Sequence, residues 1–144
     1  MYYYIKINKL TEKLEKIDTF SLNDFFVEIY FNDKNRLTTT KWDTSNPEWN
    51  ETFIFPERAK KIRVKLMEDN RWSSSQIVKE ESLEIIDDGS LNISTCSGLE
   101  IEHGYVTVKS AKNQIKIMEN LGNIAQYIGN GFNNLTNELK QLTL

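Results

Sequence analysis

The sequence predicts an all-β fold, an antiparallel sandwich of seven or eight short strands, followed by a C-terminal amphipathic helix. Three observations carry this. As far as about residue 109, β-branched and aromatic residues recur in short stretches separated by turn-forming residues. Between Trp42 and Phe55 the chain reads as strand, corner and strand, because Pro47 fixes its own φ and pushes Asn46 out of the α region. From about Ser110 onward the apolar residues take up helical spacing instead.

The strands follow in order. Residues 2–7 open the chain with three tyrosines and two isoleucines, and residues 24–31 alternate over their second half. Residues 36–42 are rich in β-branched threonine, and the corner at Asn46-Pro47 leads into Trp49, Thr52, Phe53, Ile54 and Phe55. Residues 62–66 alternate cleanly. Residues 76–86, 90–96 and 100–109 complete the set, the last containing Gly104-Tyr105-Val106-Thr107-Val108. His103, beside Gly104, is read as a turn residue before the last strand, and Cys96 as packed core.

The boundary falls at residue 109, giving a sandwich over 1–109 and a helical region over 110–144. In the latter, Met118, Leu121, Ala125, Ile128, Phe132, Leu135, Leu139 and Leu142 are separated by 3, 4, 3, 4, 3, 4 and 3 residues, a heptad a/d seam. Ile117 and Ile124 widen the stripe, while Gly122, Gly129 and Gly131 weaken helix propensity by about 1 kcal/mol each relative to alanine. A helix of about 30 residues would be about 45 Å long, longer than a small sandwich can cover. The expected burial is therefore against another chain, as a homo-oligomer or on a protein partner through residues 111–144. The competing reading packs the helix back on its own sandwich.

Composition narrows the function. With 18 Lys and Arg against 21 Asp and Glu, the net charge of −3 lacks the basic excess of a nucleic-acid binder. Cys96 is the single cysteine, so no internal disulfide forms, and the N-terminus has no signal-peptide layout. The expected location is intracellular, in the cytoplasm or peripheral to a membrane or large assembly, and not secreted. No phosphate loop, zinc motif or nucleophile with a partner is visible, so no enzyme is expected.

The string Asn46-Pro47-Glu48-Trp49-Asn50-Glu51-Thr52-Phe53 resembles the Asn-Pro-x-Trp-Asn-Glu-x-Phe core of the C2 domain family. The resemblance covers residues 1–109 and implies an eight-stranded antiparallel C2 β-sandwich with binding chemistry on three loops at one end. The order, opening on the strand that leads into the first loop, resembles the circularly permuted, type II form. The family's first-loop aspartates fall on Asp18 and Asp24, just before Phe25-Phe26-Val27. The family's third-loop ligand positions fall on Glu68, Asn70 and Gln76.

This resemblance implies calcium at Asp18, Asp24, Glu68, Asn70 and Gln76. Calcium takes six to eight oxygens, with carboxylates supplying most of the affinity. Three carboxylates and two neutral amides stand where calcium-binding relatives usually carry five aspartates. The expectation is calcium-independent or weakly calcium-dependent behaviour, with at most one weak site. Two further features bear on membranes. Phe20 and Leu22 in the first loop and Trp72 at the tip of the third form a candidate insertion surface, with inward-folded plugs as the alternative for Phe20 and Leu22. Lys34, Arg36, Lys41, Lys61, Arg63 and Lys65 form a candidate basic patch for anionic lipid, with solvated strand lysines as the alternative.

The residues together favour a non-enzymatic scaffold or assembly module that docks through its C-terminal helix. The alternative is a peripheral membrane-targeting domain binding anionic phospholipid through its loop tips.

Overall fold

The fold follows from which side of each strand is apolar. The computed structural model describes residues 1–12, 23–70 and 74–120. Among these residues the eight strands are β1 (Tyr2–Leu10), β2 (Phe25–Phe31), β3 (Lys34–Leu37), β4 (Glu48–Phe55), β5 (Ile62–Glu68), β6 (Gln76–Ser82), β7 (Asn92–Cys96) and β8 (Leu99–Val106), with one helix, α1 (Val108–Asn120). They form two four-stranded antiparallel sheets, β4-β1-β8-β7 and β3-β2-β5-β6. Strands β2 and β5 alternate strictly between buried and half-buried positions. One face of their sheet therefore meets the core and the other meets water.

The core sits where three registers coincide. Tyr3 lies opposite both Phe55 and Tyr105. Phe31 reaches across from the other sheet to stack on Phe55 at 4.1 Å and 6°, while Tyr3 meets Tyr105 edge-on at 4.8 Å. Such aromatic pairs add about 0.5–1.5 kcal/mol beyond their buried area. Strand β1 breaks the alternation, because Tyr2 and Tyr4 are buried on the opposite face. That face is also apolar at Ile54 and Val106, which lie beside Tyr4 and Tyr2 in register. Ala111 of α1 is fully buried in the same cluster, and Val108 packs against it. The start of the helix thus lies on its own sandwich, as the competing reading held for the whole tail. Residues 121–144, which carry the seam from Leu121 through Ala125, Ile128, Phe132, Leu135 and Leu139 to Leu142, lie outside the described residues. For Met118 only the backbone, in α1, is described.

Three boundaries differ from expectation, each for a local reason. The third strand stops at Leu37 because the Thr38 hydroxyl takes over the ladder: Val27 N–H donates to Thr38 Oγ1 at 2.8 Å. The chain rejoins the sheet only in a single bridge between Lys41 and Phe25, so Trp42 begins the corner and belongs to no strand. The eighth strand ends at Val106 because Thr107 caps α1, its hydroxyl accepting from Ser110 N–H at 3.2 Å. His103 is not a turn residue. It lies inside β8, fully buried, with Nδ1 3.0 Å from Tyr3 Oη and Nε2 2.9 Å from Ser94 Oγ. The neighbouring Gly104 serves a close approach: a Cβ there would lie 2.3 Å from the Ser90 carbonyl oxygen. The true turn lies between β7 and β8, where Ser97 and Gly98 both have positive φ, the signature of a two-residue type I′ hairpin.

The Trp49 segment holds the two sheets together. Trp49 is buried and its indole N–H donates to the Thr39 carbonyl at 2.9 Å. Glu51, 3% exposed, accepts from Thr39 N–H at 3.1 Å and from the Thr39 hydroxyl at 2.8 Å. Asn50 between them has φ 52°, beside a register shift in the β1–β4 pairing. The local bulge thus coincides with the two inward side chains.

Candidate interaction site

At one end of the sandwich, three segments of chain converge on Asp24. Its backbone N–H donates to Glu68 Oε1 at 3.1 Å, and its carbonyl accepts from Asp69 N–H at 2.7 Å. Its side-chain Oδ1 accepts from Asp43 N–H at 2.6 Å. Asp69 Oδ2 in turn accepts from the Thr40 hydroxyl at 3.1 Å, and Thr44 N–H donates to the Asn23 carbonyl at 3.0 Å. The approach to β2, the β3–β4 connection and the exit of β5 are therefore laced into one unit. Asn23, Asp24 and Glu68 are all buried.

Of the expected ligand set, Asp24, Glu68 and Gln76 fall at the same end of adjacent strands. Phe25 pairs with Glu68, and Glu68 with Gln76. Asn70 follows two residues beyond Glu68 and is half-buried, whereas Gln76 is exposed. Asp18, Phe20, Leu22 and Trp72 lie outside the described residues. Asp24, Glu68 and Asp69 each commit an oxygen to a protein donor, which braces the loops. Among the described residues, no three or more His, Cys, Asp or Glu side chains are grouped so as to hold a metal. Asp43, Thr40 and Asp69 belong to this bracing. Their part was invisible in sequence because each acts across segments distant in the chain.

The six basic residues divide between two faces. Arg63 and Lys65 lie on the outer face of β5. There Arg63 is paired with Glu80, and Lys65 lies opposite Glu28 and Glu80 with its ammonium 4.7 Å from the centre of the Tyr30 ring. Lys34 pairs with Glu57 at 3.0 Å, and the Arg36 guanidinium lies 5.9 Å from the centre of the Phe55 ring, over the rim of the core. Lys41 lies near Glu51, where its charge opposes the rise that burial imposes on that carboxyl. Lys61 is exposed, and its backbone N–H donates to Asn32 Oδ1. Acidic neighbours thus break up the basic patch.

Two buried titratable groups complete the picture. Burial lowers the His103 pKa below its ordinary value, with Glu84 acting in the other direction. The Cys96 thiol is pushed up to about 12, first by burial and then by Glu81. Such a thiol is packed core and a poor nucleophile.

This sandwich, with its loop end braced around Asp24, can be set beside known proteins. Over residues 3–93, more than half of its length, the sequence matches the C2 domain family. The chain belongs to the C2 domain family. As a C2 domain it is a module for membrane and protein interactions. It is 38% identical over 63 residues to human Regulating synaptic membrane exocytosis protein 2, an alignment covering 40% of this chain and 4% of that protein. The fold is similar to a C2 domain of a plant Extended Synaptotagmin 1, with TM-score 0.61, 22% identity, and coverage of 72% of this chain and 92% of that one. It is also similar to part of human GIVD cytosolic phospholipase A2, with TM-score 0.62, 22% identity, and coverage of 71% of this chain and 16% of that one. Among the described residues of the C2 domain, no helix is long and apolar enough to cross a membrane.

Proposed function

We propose that this C2 domain is a non-enzymatic scaffold or assembly module whose loop end works without calcium. The observation that carries this reading is the engagement of Asp24 Oδ1 by Asp43 N–H and of Glu68 Oε1 by Asp24 N–H. One oxygen of each of these carboxylates already accepts a protein N–H, and Asn70 and Gln76 add no charge. The heptad seam from Met118 to Leu142 is the proposed self-association or partner-docking face. The strand order, with β1 between β4 and β8, supports the permuted type II reading of the topology.

A second reading is favoured by one observation, the 38% identity over 63 residues to a protein named for regulating synaptic membrane exocytosis. In it, Phe20, Leu22 and Trp72 enter an anionic membrane beside one weakly held calcium ion at Asp18, Asp24, Glu68, Asn70 and Gln76. Lys34, Arg36, Lys41, Lys61, Arg63 and Lys65 would contribute only through the charges their acidic neighbours leave unbalanced.

Co-sedimentation with phosphatidylserine-containing vesicles, in EGTA and in calcium, separates the two. The scaffold reading expects no calcium-dependent pelleting. Calcium-dependent pelleting that Trp72→Ala abolishes would establish the second reading instead. Light scattering of the full chain and of a deletion of residues 121–144 tests the seam, and an unchanged mass after deletion would remove it.

A further inference from the structure

Neither reading uses the buried hydroxyl–imidazole chain that joins β1, β7 and β8. His103 is 0% exposed, with Nδ1 3.0 Å from Tyr3 Oη and Nε2 2.9 Å from Ser94 Oγ. Tyr3 Oη in turn accepts from Ile86 N–H at 3.4 Å. Ile86 lies in the crossover 83–91, which carries the chain from β6 in one sheet to β7 in the other. The crossover is lightly held. Leu83 is buried with its N–H on the Ile62 carbonyl, and Ile85 packs against the core, but Glu84 and residues 87–90 are exposed. Among the described residues, the long bond from Ile86 is the one hydrogen bond from the backbone of 84–89 to the sandwich.

The donors fix which nitrogen holds the proton. Because Tyr3 Oη already accepts from Ile86 N–H, every donor is matched when Tyr3 O–H donates to Nδ1 and Nε2–H donates to Ser94 Oγ. Half-buried Ser94 can turn its own O–H to water. A second proton breaks this arrangement, since imidazolium has two donors and no acceptor. Nδ1–H then takes Tyr3 Oη as its acceptor, and the phenolic O–H, in a residue 0% exposed, is left without one. The same oxygen then has two N–H donors on it, one charged and one neutral. Charge-assisted bonds are the stronger, so the longer, neutral one from Ile86 is the one that yields.

The surrounding charges permit this. From β1 and β8 the ionisable neighbours are the phenols Tyr3 and Tyr105, which meet edge-on. Strand β7 contributes Asn92, opposite His103 in register, and Ser94, neither of which titrates. Phe31, which reaches Tyr3 from the facing sheet, is apolar. Beside His103 on its own strand, Glu102 lies opposite Lys6 on the other face. The crossover supplies Glu84 and Asp87. Glu84 favours imidazolium, yet it is exposed, and the burial of His103 outweighs it. Asp87, which acts on Tyr3, is held by Arg58 at 2.7 Å. A proton on His103 is therefore disfavoured while the crossover is shut and favoured once lifting it admits water.

We propose that Tyr3, His103 and Ser94 form an acid-operated latch, in which a proton on His103 releases Ile86 and frees residues 84–89 of the crossover while the two sheets stay paired. Ile85 leaves the core with them, and water reaches the imidazole. Opening is local because so little of the crossover is buried. Burial lowers the His103 pKa, so the latch is shut above about 6.5 and opens as pH falls through the folded-state value. The device depends on neither the loop end nor the tail.

The test is amide hydrogen exchange of the full chain by NMR between pH 7.5 and 5.0, corrected for the intrinsic pH dependence of exchange and read beside the titration of the His103 ring. The expected result is that Ile86 protection falls about tenfold or more as His103 takes up its proton, while the amides of β2 and β5 keep theirs. His103→Gln, which keeps a donor and an acceptor but gains no charge, should hold Ile86 protection constant over the same range. Tyr3→Phe removes the acceptor of Ile86 and should leave that amide unprotected at every pH. Retained pH dependence in His103→Gln would overturn the proposal, and if that variant does not fold, wild type and Tyr3→Phe decide it. Ile86 protection that stays constant while His103 titrates would overturn it too, as would no titration of His103 above pH 5.0. A loss shared equally by β2 and β5 would mean global destabilisation alone and would also overturn it.

Discussion

Glu51 offers the most exacting check on how the two sheets are joined. Its carboxylate is 3% exposed and accepts from both the backbone N–H and the hydroxyl of Thr39. Glu51→Ala leaves two donors of the 38–40 segment without their acceptor. Hydrogen bonds to a charged group contribute about 1.5–3 kcal/mol each, so the loss should be about 3–6 kcal/mol. In a domain of this size that is a fall in Tm of about 10 °C or more. Glu51→Gln keeps an acceptor oxygen and should cost about 1 kcal/mol. Burial holds the Glu51 pKa above 4.5, against the lowering effect of its bonds to Thr39. A raised folded-state value means the native state binds the proton more readily than the unfolded chain. The contribution of Glu51 is therefore complete below about 4.5 and is lost as pH rises through the folded-state value. Urea unfolding of wild type and both variants between pH 7.5 and 4.5 reads this directly. Wild type should gain on the Gln variant as pH falls. A Glu51→Ala cost below about 1 kcal/mol, or a gap between wild type and the Gln variant that does not widen as pH falls, would refute the reasoning.

Further outcomes follow from other positions. Because the His103 pKa is lowered by burial, its contribution is complete above about 6.5 and is lost as pH falls through the folded-state value. Between pH 7.5 and 5.5 the urea midpoint of wild type should fall more steeply than that of His103→Gln. Gly104→Ala would set a Cβ 2.3 Å from the Ser90 carbonyl oxygen at a φ of 151°. It should lower stability by about 2 kcal/mol or more, seen as a fall in Tm. Cys96, with its thiol pushed up to about 12, should react with a thiol-specific disulfide reagent only when denaturant unfolds the chain.

The sandwich was legible because period-two patterning in residues 24–31 and 62–66 leaves few alternatives, and because Pro47 marks a corner. What escaped depends on side chains that meet across the fold. The threonines at 38–40 look like strand, yet Thr38 gives its hydroxyl to the Val27 N–H and stops the strand. His103 next to a glycine looks like a turn, whereas Gly104 admits the Ser90 carbonyl and His103 is core. Asp24, Glu68 and Gln76 were placed together by the family resemblance, but nothing local announced that Asp43 and Thr40 would brace the same end.

The measurement that bears most directly on a calcium-free loop end is thermal unfolding in EGTA and in 5 mM calcium chloride, for wild type and Asp24→Asn. A ligand at about 100 times its Kd stabilises by about 2.7 kcal/mol, so a site with Kd near 50 µM would raise Tm by more than about 5 °C. The account predicts that calcium shifts wild type by less than about 1 °C, and that Asp24→Asn lowers Tm equally in both buffers through its weakened bond to Asp43. A calcium-induced rise of several degrees that Asp24→Asn removes would contradict it.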